Sequence, residues 1–301
     1  MTSRRRFISI LAGAAALPMM GQSAFAAPTQ WRGIALGANA QIILDHPDAA
    51  DLINMAVSEI RRLELLFSLY QPNSLLSQLN QTGTISAPAF EFIELLSIAA
   101  TINTRTNGAF DPTIQTLWEL YADLIANRNY PDQAQIEQAL EATGWDKLQF
   151  SVEKVTLADG AKLSLNGIAQ GYITDKIAAL FRANGIENVL VNTGEISALG
   201  TASNGLPWVV TLGDADGESV DLQNACMATS APLGTTFDNT QNVSHILDPR
   251  NGRPATHRQS LTVIDSSSAV ADGLSTGFCL MGVDEINKAK GRAKVIFSPQ
   301  A

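Results

Sequence analysis

Residues 164–181, "SLNGIAQGYITDKIAALF", set the reading of this chain. Ser164-Leu165-Asn166-Gly167 reads as a strand-to-helix junction. Ile173, Ile177, Leu180 and Phe181 then recur at helical spacing, and Asn184-Gly185 supplies a stop. Asp175 and Lys176 are expected to face water. The first turn of a helix leaves N–H groups unpaired and carries partial positive charge, which makes the junction a natural seat for phosphate. Gly167 and Gly171 let either a ligand or a second backbone come close, and their spacing does not choose between the two.

Outward from this helix, strands and helices alternate without a strict β-α-β rhythm. Residues 40–46 read as a strand, 47–70 and 86–106 as long helices, and 74–80 and 132–142 as shorter ones. Short strands are expected near 147–151, 154–157, 161–164 and 188–194. More fill 196–223, with turn signals at Asn204-Gly205 and Asp216-Gly217. A strand, a serine-rich turn and a helix follow over 260–282, and 294–297 closes the chain as a strand. No repeat, low-complexity tract or linker interrupts the sequence, which favours one mixed α/β unit over 27–301.

Residues 1–26 stand apart. Arg4, Arg5 and Arg6 precede an apolar run from Phe7 to Met20, and Ala24-Phe25-Ala26 gives a small-residue cleavage pattern. The run is too short to span a membrane and is broken by Pro18, so the segment is expected to be a secretory signal peptide. Ser3-Arg4-Arg5-Arg6-Phe7-Ile8 resembles the twin-arginine type; a general signal with a chance arginine cluster is the plainer alternative. A periplasmic protein beginning near Ala27 is expected. Removing the leader takes three arginines and no acid, so the net charge of −9 becomes −12. Such a balance argues against nucleic acid as a partner, but not against a phosphate-bearing small molecule, because a metal or backbone N–H groups can supply positive field. No second long apolar segment follows, so no membrane span is expected after cleavage. Cys226 and Cys279, the two cysteines, could pair in an oxidising compartment or remain buried thiols.

Several stretches carry possible chemistry. In "ADGLSTGF" (271–278), Asp272 and Thr276 are four apart, on one helical face, and form a hard-oxygen pair of the kind Mg²⁺ accepts; alone, Asp272 also reads as a helix cap. In "SHILDPRNGRP" (244–254), His245 precedes an apolar pair and a turn, and could be a packing residue. "NGAFDP" (107–112) could be only a helix end, and the Ser and Asn of "FSLYQPNSLLSQLN" (67–80) only caps.

Taken in order, these blocks resemble the ApbE family of FAD:protein FMN transferases. The matching residues are Phe67-Ser68-Leu69-Tyr70-Gln71-Pro72-Asn73-Ser74 with Ser77 and Asn80, Gly108-Ala109-Phe110-Asp111-Pro112, and Gly167-Ile168-Ala169-Gln170-Gly171-Tyr172 with Asp175. Val191-Asn192-Thr193-Gly194, Thr229-Ser230, His245-Ile246-Leu247-Asp248-Pro249, and Ala271-Asp272 with Thr276 complete the set. The resemblance implies an α+β fold of short, largely antiparallel strands and packed helices. It implies FAD as substrate, with flavin contacts at Tyr70, Ala109, Phe110, Asp111, Ser164, Gln170, Ile246 and Leu247. It implies Mg²⁺ held by Asp272, Thr276 and the Gly167 carbonyl, with His245 and Asp272 serving the chemistry. The implied reaction moves FMN onto a threonine hydroxyl of an acceptor protein and releases AMP.

Gln170 stands where the family usually has Lys, and Glu195 where it has a second Gly. Both make the site less cationic, which leaves a non-catalytic FAD-binding carrier, or a pyrophosphatase that releases FMN and AMP to water, as alternatives. "LNGIAQGY" and the leader resemble the NosX branch, which implies a membrane-bound acceptor of NosR type in nitrous oxide respiration.

Overall fold

The computed structural model describes residues 28–213, 217–238, 243–256 and 259–299; the expected leader, 1–26, lies outside them. The chain opens on a hairpin of β1 (Thr29–Ala35) and β2 (Ala38–Leu44). The turn residues Leu36 and Gly37 both have positive φ, 45° and 76°. That pairing matches the twist of two adjacent strands, but it is costly for leucine. Leu36 N–H donates to Glu64 Oε1 at 2.6 Å, which ties the turn to the first helix.

There follow α1 (Ala49–Phe67), α2 (Leu75–Thr82), β3 (Thr84–Ser86), α3 (Phe90–Arg105), α4 (Gln115–Ala126) and α5 (Gln133–Glu141). Next come β4 (Leu148–Phe150), β5 (Lys154–Leu157), α6 (Ala169–Ala183), β6 (Val189–Asn192), β7 (Ile196–Leu199), β8 (Trp208–Thr211) and β9 (Ser219–Leu222). The last elements are β10 (Ala225–Ser230), β11 (Gln259–Asp265), α7 (Ser268–Phe278), α8 (Val283–Ala289) and β12 (Lys294–Pro299).

Seven strands form the main sheet in the order β1-β2-β6-β7-β10-β11-β12, every neighbouring pair antiparallel. Side-chain alternation sorts its two faces. Ile42 and Leu44 of β2, with Val189 and Val191 of β6, point into the large core shared with α1, α3, α6 and α7. Ile43 and Leu190 point the other way, against Trp208, Val210, Val220 and Leu222 of the β8–β9 hairpin. A three-stranded antiparallel sheet, β3-β5-β4, sits apart. The α+β class with antiparallel strands is as expected.

Three local readings need correction. The strand at 161–164 does not form. Lys162 makes one isolated parallel bridge to Ile114, and the Asn80 side chain substitutes for a strand: its Nδ2 donates to Leu163 O and its Oδ1 accepts from Leu163 N–H, both at 2.8 Å. The chain therefore reaches α6 as a stretched, side-chain-pinned segment. Asp175 does not face water either. Its carboxylate accepts from Ser267 Oγ (2.7 Å), Ser268 N–H (2.7 Å) and Ala269 N–H (3.0 Å), holding the start of α7. Lys176 is half-buried and bonded to Glu94 at 2.5 Å. Cys226 and Cys279 are both buried and free, so no bridge links them. Among the described residues no helix is long and apolar enough to cross a membrane.

Candidate functional site

At one end of the main sheet β1, β6, β10 and β12 finish and β2, β7 and β11 begin. A cleft of about 990 Å³ opens there. It receives residues from five of the seven strands, Ala38, Asn192, Ser230, Thr262 and Ser298, and from the flanks of the other two, Leu36 just beyond β1 and Glu195 just before β7.

The wall opposite is built by loops whose serines and asparagines serve as scaffolding. Ser68 Oγ accepts from Tyr70 and Gln71 N–H, at 3.1 and 3.2 Å. The Ser74 and Ser77 hydroxyls donate back to the Ser68 carbonyl. This knot of local bonds presents Tyr70 at the cleft, 75% exposed. Asn103 Nδ2 donates to the Phe110 carbonyl at 2.9 Å and to Asp111 Oδ2 at 3.2 Å. Thr113 N–H and Oγ1 donate to Asp111 Oδ1, at 2.9 and 2.7 Å. Burial pushes the Asp111 carboxyl above its ordinary value, against the pull of these bonds. Ser164 N–H donates to the Pro112 carbonyl at 2.7 Å, joining this loop to the segment that enters α6.

Helices α6 and α7 meet at the floor, and each caps the other. Asp175 of α6 holds the first N–H groups of α7, as described above. Asp272 of α7 accepts from Gly171 N–H in the first turn of α6, at 3.0 Å. A carboxylate at a helix N-terminus is stabilised by the orphan amides and the dipole. Asp272 is thus a cap, but for the neighbouring helix; its own helix is capped by Ser267, whose Oγ accepts from Val270 N–H. Asp272 is buried, with 4% exposure.

The two glycines of the opening stretch now have separate reasons. A Cβ on Gly171 would stand 2.3 Å from the Ser268 carbonyl oxygen, so this glycine exists for helix packing. A Cβ on Gly167 would stand 2.9 Å from Thr276 Oγ1 and 3.4 Å from Phe110 Cε2. That glycine keeps open the space in front of the threonine hydroxyl. Asp272, Thr276 and the Gly167 backbone therefore share one corner, a set of hard oxygen donors of the kind Mg²⁺ takes. Among the described residues no three His, Cys, Asp or Glu side chains group as a metal site. One carboxylate with neutral oxygens fits an ion that fills its remaining positions from a phosphate ligand and water.

His245 lies on the far lip. Its Nδ1 is 2.6 Å from the Thr235 carbonyl, which can only accept, so Nδ1 carries the proton and a neutral ring has its lone pair on Nε2. The loop behind it is fixed by Asp248, which takes Arg250 Nε and Nη2 at 2.8 Å each and Arg250 N–H at 2.9 Å. Arg250 Nη2 also donates to the Leu280 carbonyl at 2.8 Å, tying this loop to the end of α7.

The twelve residues expected to bind flavin or metal or to serve the chemistry all line this one cleft: Tyr70, Ala109, Phe110, Asp111, Ser164, Gly167, Gln170, His245, Ile246, Leu247, Asp272 and Thr276. A model of the ApbE family matches residues 36–296. The chain belongs to the ApbE family. It is 32% identical over 240 residues to the FAD:protein FMN transferase of Haemophilus influenzae, covering 72% of this chain and 69% of that protein. Among solved structures, it resembles the flavin transferase ApbE from Vibrio cholerae with a TM-score of 0.77 and 25% identity, over 91% of this chain and 94% of that one. The ApbE protein from Thermotoga maritima gives a TM-score of 0.81 with 26% identity, over 90% and 94% of the two chains.

Within this ApbE-family cleft, the two departures seen in the sequence sit side by side. Gln170 is buried, and its Cδ and Nε2 lie 2.6 Å from where a Cβ on Gly194 would be. Gly194, at φ 112°, is therefore held to glycine by both conformation and space. Glu195 is buried next to it and accepts from Thr229 N–H through Oε2 at 3.2 Å. The sequence reading missed Leu36 as a cleft residue. Its only signal was the two-residue turn Leu36-Gly37, which lacks the Asn-Gly signature of such hairpins.

Proposed function

We propose that this chain transfers FMN from FAD to a threonine hydroxyl of an acceptor protein, with release of AMP. The observation that supports it most is the convergence of Tyr70, Asp111, Gly167, His245, Asp272 and Thr276 on one cleft in a chain of the ApbE family. The cleft's volume suits a dinucleotide, and Tyr70, Phe110, Ile246 and Leu247 offer apolar surface for a flavin ring. Asp272, Thr276 and the Gly167 carbonyl would hold Mg²⁺, which supplies charge neutralisation at a diphosphate.

The chemistry is a displacement at the FMN-side phosphorus. A bond forms between that phosphorus and the acceptor oxygen, the bond to the bridging oxygen breaks, and AMP leaves with the electron pair. His245 Nε2 takes the proton of the acceptor hydroxyl, and the Thr235 carbonyl steadies the ring through Nδ1–H as positive charge develops. The Asp248–Arg250 pair keeps the His245 loop against α7, so that base and floor hold their separation.

The leader pattern at residues 3–8 supports export and work in the periplasm, and "LNGIAQGY" (165–172) supports a membrane-bound acceptor of NosR type. Incubating the protein with FAD, Mg²⁺ and such an acceptor should give a fluorescent acceptor band that survives denaturation. No band, with FAD demonstrably bound, would refute the transfer.

One observation favours a second reading, a non-catalytic FAD carrier. Gln170 supplies no charge where the family usually has Lys, and Glu195 stands beside it. If flavin transfer appears only in Gln170→Lys, the natural chain is a carrier.

A further inference from the structure

Resting on the flavin-transfer reading, we propose that Ser230 is a positioning residue that turns the Thr276 hydroxyl into a cation ligand. The direction of its hydrogen-bond chain can be worked out from the far end. Ser275 Oγ donates to the Asp272 carbonyl at 2.9 Å, an oxygen that can only accept. A serine has one proton, so Ser275 Oγ must accept in its 2.7 Å contact with Ser230 Oγ, and Ser230 donates. With its proton committed, Ser230 must accept in its 3.3 Å contact with Thr276 Oγ1. The single Thr276 proton is thereby turned toward β10, and the threonine oxygen presents lone pairs elsewhere.

This polarity matters chemically. A hydroxyl with its proton aimed into the cleft would donate to a phosphate oxygen and repel a cation. With the proton held behind, the same hydroxyl is an oxygen donor for a hard divalent ion. The space its lone pairs need is the space Gly167 leaves, since a Cβ there would lie 2.9 Å from Thr276 Oγ1. The relay is also braced from below. The Cys279 thiol, fully buried, donates to the Ser275 carbonyl at 3.3 Å and lies 3.8 Å from the Ser230 carbonyl. Ser230 therefore favours a cation over an anion at Thr276 through the direction it gives the threonine proton.

Mn²⁺ uptake by the full chain in the presence of FAD, followed by electron paramagnetic resonance, tests this without reference to turnover. Removing a group that orients a metal ligand weakens metal affinity by about 10- to 100-fold. Ser230→Ala is expected to lose at least about 10-fold, and Ser230→Thr, which keeps a hydroxyl, to recover most of it. In a Thr276→Val background, Ser230→Ala should have no further effect, which a general loosening of β10 would not reproduce. Ser275→Ala, which breaks the relay one step further back, should lose less than Ser230→Ala, and thermal melting shows which variants are folded. Wild-type affinity in Ser230→Ala, or an equal loss in the Thr276→Val background, overturns the relay while the transferase reading stands. A wild-type protein that binds FAD yet takes up no Mn²⁺ overturns the metal site and the relay together.

Discussion

Replacing Gly171 by alanine sets two effects of opposite sign against each other. Gly171 lies in the first turn of α6, and alanine is the better helix former by about 1 kcal/mol. On propensity alone, Gly171→Ala should stabilise the protein. The structure opposes this. The added Cβ would lie 2.3 Å from the Ser268 carbonyl oxygen, 2.6 Å from its carbon and 2.8 Å from Ala269 Cα, all backbone of the α7 start. Real Cβ contacts essentially never fall under 3.0 Å, so the helices must part by roughly 0.7 Å at this point. Overpacking of this kind costs about 1–3 kcal/mol. The shift also strains the 3.0 Å bond from Gly171 N–H to Asp272, a charge-assisted bond worth about 1.5–3 kcal/mol. The clash and the weakened bond together exceed the propensity gain, and a net loss of about 3 kcal/mol follows. For a chain of this size that lowers Tm by roughly 6–12 °C, measurable by calorimetry. The same movement carries Asp272 and Thr276 away from Gly167, so cation uptake should weaken in parallel. A Gly171→Ala protein that melts at or above the wild-type temperature would refute the account of how α6 and α7 meet.

The other predictions concern binding, chemistry and the thiols. Tyr70→Ala should leave Tm nearly unchanged, because the side chain is 75% exposed, while weakening FAD binding by roughly fivefold for about 1 kcal/mol of lost stacking, as read by flavin fluorescence titration. Asp272→Ala should abolish Mg²⁺-dependent transfer; wild-type transfer across a Mg²⁺ titration would remove Asp272 from the metal site. His245→Ala should slow transfer by roughly 10²–10⁴-fold with FAD affinity little changed, and an unchanged rate would return this residue to a packing role. Burial pushes the Cys226 thiol up to about 12 and Cys279 higher still, so neither should react with a thiol reagent at pH 8 until the protein is unfolded, when both should appear.

Much of the site could be read from the sequence because its blocks are local. The Tyr70 loop, the Asp111 loop and the His245 loop are each built from bonds between near neighbours, as with Ser68, Ser74 and Ser77 or with Asp248 and Arg250. What escaped was long-range. Asp175 looks like a solvent-facing helical residue until Ser267–Ala269, more than ninety positions later, bring their donors to it. Helix α4 went unrecognised because Ile114 gives it no side-chain cap, and only Gln115, Leu117 and Tyr121 of its residues are buried. Strand β1 was hidden by its edge position, where all but one residue is at least partly exposed, and by the Leu36-Gly37 turn. The false strand at 161–164 has strand-like composition, but its hydrogen-bonding partner is a side chain, which periodicity does not reveal.

Because the cleft draws on every strand of the main sheet or the residue flanking it, its first contributor, Leu36, and its last, Ser298, are separated by nearly the whole described chain. Such a cavity cannot assemble while the polypeptide is still emerging or after its final strand is lost. Nucleotide capture is thus a property of the finished molecule alone, and an occupied cleft acts as a staple between the two extremities, shifting the folding equilibrium toward the state that holds them together.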